Sequence, residues 1–209
     1  MSGPPARTEA HPLHDADAIQ RTGLFGRSPM PVPAAWPALQ VAMAILLVNG
    51  AVILWLLLLG RGVLPDTVPL QWWSGSTLAA DNSQHIADFY SALHAVSGAA
   101  LCFAARAVCP DWPLHRRFIM VIACSGVWEV VENAPAVISL FNGPGSPDVY
   151  RGDSIVNALS DTAFVAFGFL GAHSLPRWFV IAAGASAEIT AALIVHDGFV
   201  LGTVKVVLR

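Results

Sequence analysis

The sequence predicts an all-α fold, an integral membrane bundle of about five transmembrane helices. Hydrophobic residues make up 55% of the 209 residues and charged residues only 12%, about half the share usual in soluble domains. Several apolar stretches also approach the roughly 20 residues that a helix needs to cross a bilayer. A net charge of −3 argues against nucleic acid, which usually requires a basic surface, so the expected partner is the lipid bilayer.

Five segments of a membrane domain, residues 36–209, are predicted to span the bilayer. They lie near 39–60, 86–108, 118–141, 154–173 and 178–195. The first is interrupted only by Asn49 and Gly50. The apolar segment 198–209 is too short to cross, and we expect it at the membrane interface.

Residues 1–35 are predicted to form a disordered tail in the cytoplasm. Prolines recur through this segment, and it lacks the apolar core of a secretory signal. With a cytoplasmic N-terminus, seven arginines fall on the inner side of the predicted topology and four basic residues on the outer side. This bias favours that orientation, because cytoplasmic loops carry an excess of basic residues.

Polar residues interrupt the predicted spans at a similar depth in the outer half. Asp153, Asn157 and Asp161 stand four residues apart, so they share one helical face. Asp81, His85 and Asp88 are expected on one face at the start of the second span. At 1.5 Å per residue, His94 would lie about 12 Å and Glu132 about 13 Å inside the outer end of their helices. Asp161 would lie about 12 Å below Asp153, and Glu188 about 12 Å below His196, at the same depth. Glu129 and Asn133 share one stripe of the third span with Glu132.

This layer is predicted to form an outward-facing polar pocket. Each carboxylate in a bilayer costs about 2.5–3.5 kcal/mol even on a lenient scale, and the nearby cations are too few to pair with all of them. Shared protons, a bound cation or a water-filled cleft would each balance the excess. The candidates are Glu132, Asp161 and His94 for catalysis; His85, Asp88, Glu129, Asn133, Asp153, Asn157 and Glu188 for the pocket; and His85, His94, Glu132 and Asp161 for an unidentified, divalent metal.

Structural roles compete with these assignments. Asp153 or Ser154 is suited to cap the N-terminus of the fourth span. Asn133 and Asn157 are suited to hydrogen bonds between helices, and small-residue patches such as Gly98 and Gly168 would let helix backbones approach closely.

Three blocks of the chain resemble a bacterial membrane-protein family catalogued as domain of unknown function 2585. They read "DNSQHIADFYSALHAVSGA", "WEVVENAP" and "YRGDSIVNALSDTAFVAFGF", and the resemblance covers roughly residues 71–200. It implies a multi-pass protein of the bacterial inner membrane, without an assigned activity. The family's pattern suggests Arg-Asp-Asn where this chain has His196, Asp197 and Gly198, so no role is carried over to His196.

A more distant resemblance is to the VanZ-like membrane proteins, which are associated with tolerance of antibiotics that act on the cell envelope. It rests on Asp81 with His85, then Glu132, then Asp153 with Asn157 before a Gly-rich helix. It implies work on the envelope or its lipids.

Three functions follow as hypotheses. The first is an enzyme or binding protein for a lipid or lipid-linked envelope substrate. The second is a structural or accessory subunit whose polar layer only fixes how the helices pack. The third is a proton- or cation-coupled transporter, although the chain has no inverted repeat. The sequence leaves self-association open.

Overall fold

The computed structural model describes residues 38–66, 68–142 and 149–208, so the predicted tail of residues 1–35 lies outside these ranges. The described part is all-helical: α1 (Ala38–Leu58), α2 (Phe89–Val108), α3 (Leu114–Glu132), α4 (Pro135–Asn142), α5 (Ile155–Ser174), α6 (Arg177–Ile194) and α7 (Phe199–Val207). Helices α1, α2, α5 and α6 are each long and apolar enough to cross a membrane, and α3 with α4 would make a fifth span. The predicted all-α architecture is confirmed.

The third predicted span, 118–141, is broken. Helix α3 ends at Glu132, and α4 leaves it at an angle of 70°. The break precedes Pro135, which lacks an N–H for the helical ladder and pushes the residue before it out of the helical region. Glu132 therefore occupies the last position of α3, rather than lying about 13 Å inside a longer helix.

The start of the second span also differs from the prediction. Helix α2 begins at Phe89, and Asp88 caps it by accepting hydrogen bonds from the N–H groups of Tyr90 and Ser91 at 2.8 and 3.2 Å. Asp81 and His85 lie in the irregular segment before the helix. The expected helical face shared by these three residues is wrong, because capping by Asp88 sets the first turn after it.

Helix α5 begins close to its predicted position. The hydroxyl of Ser154 accepts the N–H of Asn157 at 3.2 Å and caps the helix. Of the two predicted caps, Ser154 has this role, and the carboxylate of Asp153 is left for other contacts.

Helices α2 and α5 pack most closely, through two glycines. A Cβ atom added at Gly98 would lie 2.0 Å from the carbonyl oxygen of Val165, and one added at Gly168 would lie 1.8 Å from that of Ala95. Each glycine thus lies against the backbone of the other helix, as the small-residue patches predicted. This contact fixes the spacing between two of the helices that carry the candidate site.

The outer surface of the bundle is apolar. Leu46, Leu47 and Phe167 are each 70% exposed or more. Such surfaces are rare on soluble monomers and fit contact with lipid.

Candidate functional site

Hydrogen bonds fasten the segment before α2 to the start of α5. The Ser154 hydroxyl donates to the carbonyl of Gln84 at 2.9 Å, and the Gln84 side chain donates to the carbonyl of Gly152 at 2.8 Å. Asn157 donates through its amide to the carbonyl of His85 at 2.9 Å. These bonds join residues about 70 positions apart and hold the segment against the helix ends. We call the polar side chains of this region the loop network; its acidic, amide and ring members are Asp81, Gln84, His85, Asp88, Asn133, Tyr150, Asp153 and Asn157.

His85 is fully buried within the loop network, with both ring nitrogens in use. Nδ1 accepts the backbone N–H of Gln71 at 3.2 Å, so Nε2 carries the proton and donates it to Asp81 at 3.2 Å. Although burial acts to raise it, hydrogen bonds from His85 and Ser74 hold the pKa of the Asp81 carboxyl below its ordinary value. Because both ring nitrogens of His85 make hydrogen bonds, neither is free to bind a metal ion. The role of His85 in this arrangement is structural.

Asn133 and Asp153 form a reciprocal pair. The Asn133 amide donates to Asp153 Oδ2 at 2.5 Å and its oxygen accepts the Asp153 backbone N–H at 2.8 Å. Tyr150 donates its hydroxyl to Asp153 Oδ1 at 2.6 Å. Burial raises the pKa of the Asp153 carboxyl, while these hydrogen bonds act to lower it. Burial, followed by the charge of Asp153, raises the pKa of Tyr150 well above its ordinary value.

A second polar group lies beside the loop network, on three of the helices. It consists of His94 on α2, Glu129 and Glu132 on α3, and Asp161 on α5, and we call it the acid–histidine cluster. The imidazole of His94 stands between two carboxylates: Nδ1 is 3.8 Å from Glu129 Oε1, and Nε2 is 3.7 Å from Asp161 Oδ2. One ligand atom each of His94, Glu129 and Glu132 lie within 4.8 Å of one another. The three candidate catalytic residues are thus brought together.

Ser91 connects the cluster to the loop network. Its hydroxyl accepts the backbone N–H of Asp88 at 3.1 Å and donates to Asp161 Oδ1 at 3.1 Å. The sequence prediction missed Ser91. Its position three residues after Asp88 and three before His94 is the signal that identifies it, because such residues share a helical face.

The cluster differs from the loop network in how its polar atoms are satisfied. Both carboxylate oxygens of Glu129, which is fully buried, have no hydrogen-bond partner, and neither does Glu132 Oε2. Buried polar atoms usually have a partner, and leaving one without costs about 1–3 kcal/mol. Of the loop-network side chains named above, only Asn157 has such an atom, its Oδ1, and its amide still donates a hydrogen bond. The loop network therefore stabilises the fold on balance, whereas the cluster costs stability.

Glu188 does not join this cluster. Its carboxylate accepts the backbone N–H groups of Phe199 and Val200 at 3.1 and 2.8 Å, at the first turn of α7. The expected place of Glu188 in a common polar layer is therefore corrected to a capping role beside Gly198, whose φ of +140° suits glycine.

Two mostly apolar depressions lie near the turn between α2 and α3. One has a volume of about 330 Å³ and is lined by Leu114, His115, Phe118, Phe169 and Leu170. The other, of about 370 Å³, is lined by Trp112, Arg116, Ile119 and Met120. The acid–histidine cluster borders neither of them.

Fold and site together define a helical protein with span-capable helices and a buried acid–histidine centre. The chain belongs to the family described as "Protein of unknown function (DUF2585)", whose sequence model matches residues 56–208 and so includes the whole cluster. This confirms the family resemblance carried by the three sequence blocks.

Relatives named "UPF0314 protein" occur in several bacteria. One from Brucella anthropi is 33% identical over 164 residues, covering 78% of this chain and 82% of that protein. One from Paracoccus denitrificans is 32% identical over 148 residues, covering 71% and 77%. These names give no activity and no support for the VanZ-like resemblance. No solved structure matches the chain.

Proposed function

We propose that this protein is an inner-membrane enzyme, or a binding protein, for a lipid or lipid-linked envelope substrate, and that the acid–histidine cluster is its site. One observation carries the proposal: carboxylates on α3 and α5 flank a histidine on α2, and both oxygens of Glu129 and one oxygen of Glu132 lack the hydrogen-bond partners that a scaffold would supply. Such an arrangement costs stability, and ionisable residues within membrane helices are by default functional-site candidates.

The cluster has the groups needed for acid–base chemistry. The His94 side chain is 11% exposed and Glu132 is half-buried, whereas Glu129 is fully buried. A substrate hydroxyl or a water would therefore meet His94 or Glu132 first, and either can accept its proton as a general base. Asp161 faces the opposite nitrogen of His94 and would orient the ring.

Apolar side chains around the accessible edge of the cluster support a lipid-like substrate. Val127, Trp128 and Val131 on α3 flank its two glutamates and are 64%, 46% and 43% exposed. A molecule that reaches Glu132 along this surface passes hydrocarbon and an indole ring. With the N-terminus in the cytoplasm, as the arginine bias favours, this edge opens in the outer half of the bilayer.

The test compares the membrane lipids of a deletion strain with those of the same strain complemented by one of three genes. The three genes encode wild type, Glu132→Gln and Asp111→Asn. Asp111 is an exposed acid outside the cluster, so Asp111→Asn is the matched control. Loss of a general base lowers turnover about 10²–10⁴-fold. We expect one lipid or lipid-linked species to accumulate in the deletion and Glu132→Gln strains and to return to its normal level with wild type and Asp111→Asn. The same lipid profile in all strains would overturn the proposal and leave the accessory role.

A further inference from the structure

We propose that His94, Glu129 and Glu132 bind a divalent metal ion. The three residues present a mixed set of one nitrogen and two carboxylate donors, with one atom from each inside a 4.8 Å limit. Ligands to a first-row metal lie about 2.0–2.2 Å from it, so a shift of about 1 Å or less brings these atoms to bonding distance.

The unpartnered carboxylate oxygens are an independent indication of a cation site. Glu129 is fully buried, and its Oε1 points at the imidazole of His94 while neither of its oxygens has a hydrogen-bond donor. Among the described residues, His94 is the one basic side chain within ion-pair distance of the Glu129 and Asp161 carboxylates, and its ring carries at most one positive charge. A dication at this point would satisfy the oxygens that the protein leaves without partners.

The two nitrogens of His94 suit the two sides of a metal site. Nδ1 faces Glu129, the ligand side, and Nε2 faces Asp161. Metal-binding histidines almost always donate the second N–H to a carboxylate or carbonyl, which fixes the ring orientation. Asp161, itself held by the Ser91 hydroxyl, is thus a positioning residue for His94 rather than a ligand.

The donor set indicates which metals fit. Imidazole with carboxylates suits Zn²⁺ and Mn²⁺, whereas Mg²⁺ and Ca²⁺ sites are built from oxygen alone. Three protein ligands leave a position for water or a substrate oxygen, as in catalytic zinc sites. The purpose of the metal rests on the proposed function: it would polarise the oxygen of the water or substrate. Because both nitrogens of His94 are then engaged, the carboxylate oxygen of Glu132 that does not bind the metal would be the general base.

The experiment measures metal bound to the full-length protein in detergent. Wild type, Glu129→Gln, Asp161→Asn and Asp111→Asn are stripped with EDTA, loaded with Zn²⁺ or Mn²⁺, passed through a desalting column and analysed by inductively coupled plasma mass spectrometry. We expect about one ion per chain in wild type and Asp111→Asn, and none in Glu129→Gln. Asp161→Asn should retain less than one ion per chain, because the loss of such a partner weakens metal affinity about 10–100-fold. Unchanged circular dichroism and gel-filtration elution would show that each variant is folded.

Two results would overturn the metal site: wild type without bound metal, or Glu129→Gln that binds as much as wild type. The outcome of the lipid comparison is independent of the outcome of the metal measurement. A metal-free protein whose Glu132→Gln variant still accumulates a lipid removes the metal and keeps the proposed function. Stoichiometric metal with unchanged lipids keeps the metal site and removes the proposed function.

Discussion

Alanine at Gly168 is expected to force α2 and α5 apart and to lower the free energy of unfolding by about 3 kcal/mol. Overpacking a well-packed contact usually costs about 1–3 kcal/mol, and here the new methyl group would meet rigid backbone, which cannot rotate away. Its Cβ would lie 1.8 Å from the carbonyl oxygen of Ala95. Gly98→Ala meets Val165 on α5 in the same way and should have a similar effect.

Unfolding by SDS in mixed micelles, followed by circular dichroism, measures this effect. Gly171→Ala is the matched control on the same helix, because its added Cβ would have Leu175 as its nearest neighbour at 3.9 Å. Gly171→Ala should leave the free energy of unfolding unchanged or raise it slightly, since alanine is the better helix former. Equal losses in Gly168→Ala and Gly171→Ala would contradict the close contact of α2 with α5.

Aspartate at Asn133 is expected to destabilise the protein by about 3–5 kcal/mol, the cost of an uncompensated buried charge. Asn133 is fully buried, and its amide donates to Asp153 Oδ2 at 2.5 Å. The substitution replaces that donor with a second carboxylate. One of the two acids must then take up a proton, so part of the lost stability should return as the pH falls. The free energy of unfolding at pH 7.5 and at pH 5 tests both statements.

Asn142→Asp is the control for this charge change. Asn142 accepts the backbone N–H of Tyr150 at 2.8 Å and donates to the Tyr150 carbonyl at 2.8 Å. A carboxylate at this position retains the first hydrogen bond and loses the second. We expect a loss below about 1 kcal/mol, typical of a half-buried polar substitution. If Asn133→Asp were no worse than Asn142→Asp, the reciprocal pair with Asp153 would not exist in the protein.

Much of the fold could be predicted from the sequence, because the length of an apolar stretch is enough to identify a membrane-spanning helix. Helices α1, α5 and α6 begin and end within two residues of their predicted positions. The break after Glu132 was missed because apolar residues resume after Pro135 and imitate a continuous span. Pro135 interrupts the apolar stretch, but a single proline changes the mean hydropathy of a 20-residue stretch very little.

The candidate site was predictable in part. Burial of an acid in an apolar helix is costly, so Glu132 and Asp161 stood out, and the structure places both around His94. The contact between His85 and Asn157 joins residues 72 positions apart, which no local periodicity can reveal. Ser91 is a neutral hydroxyl, whose burial costs too little to attract notice.

The central claim is that the acid–histidine cluster is retained for function at a cost in stability. The free energy of unfolding in EDTA tests it most directly, measured for wild type, Glu129→Met and Asn157→Leu. Methionine removes two unpartnered oxygens at similar volume, so we expect Glu129→Met to gain about 1–3 kcal/mol. Asn157→Leu removes a donor bonded to the His85 carbonyl at 2.9 Å, together with the unpartnered Oδ1 of Asn157, so we expect it to lose stability by about 1 kcal/mol. If Glu129→Met were as destabilised as Asn157→Leu, the cluster would be part of the scaffold and the claim would be wrong.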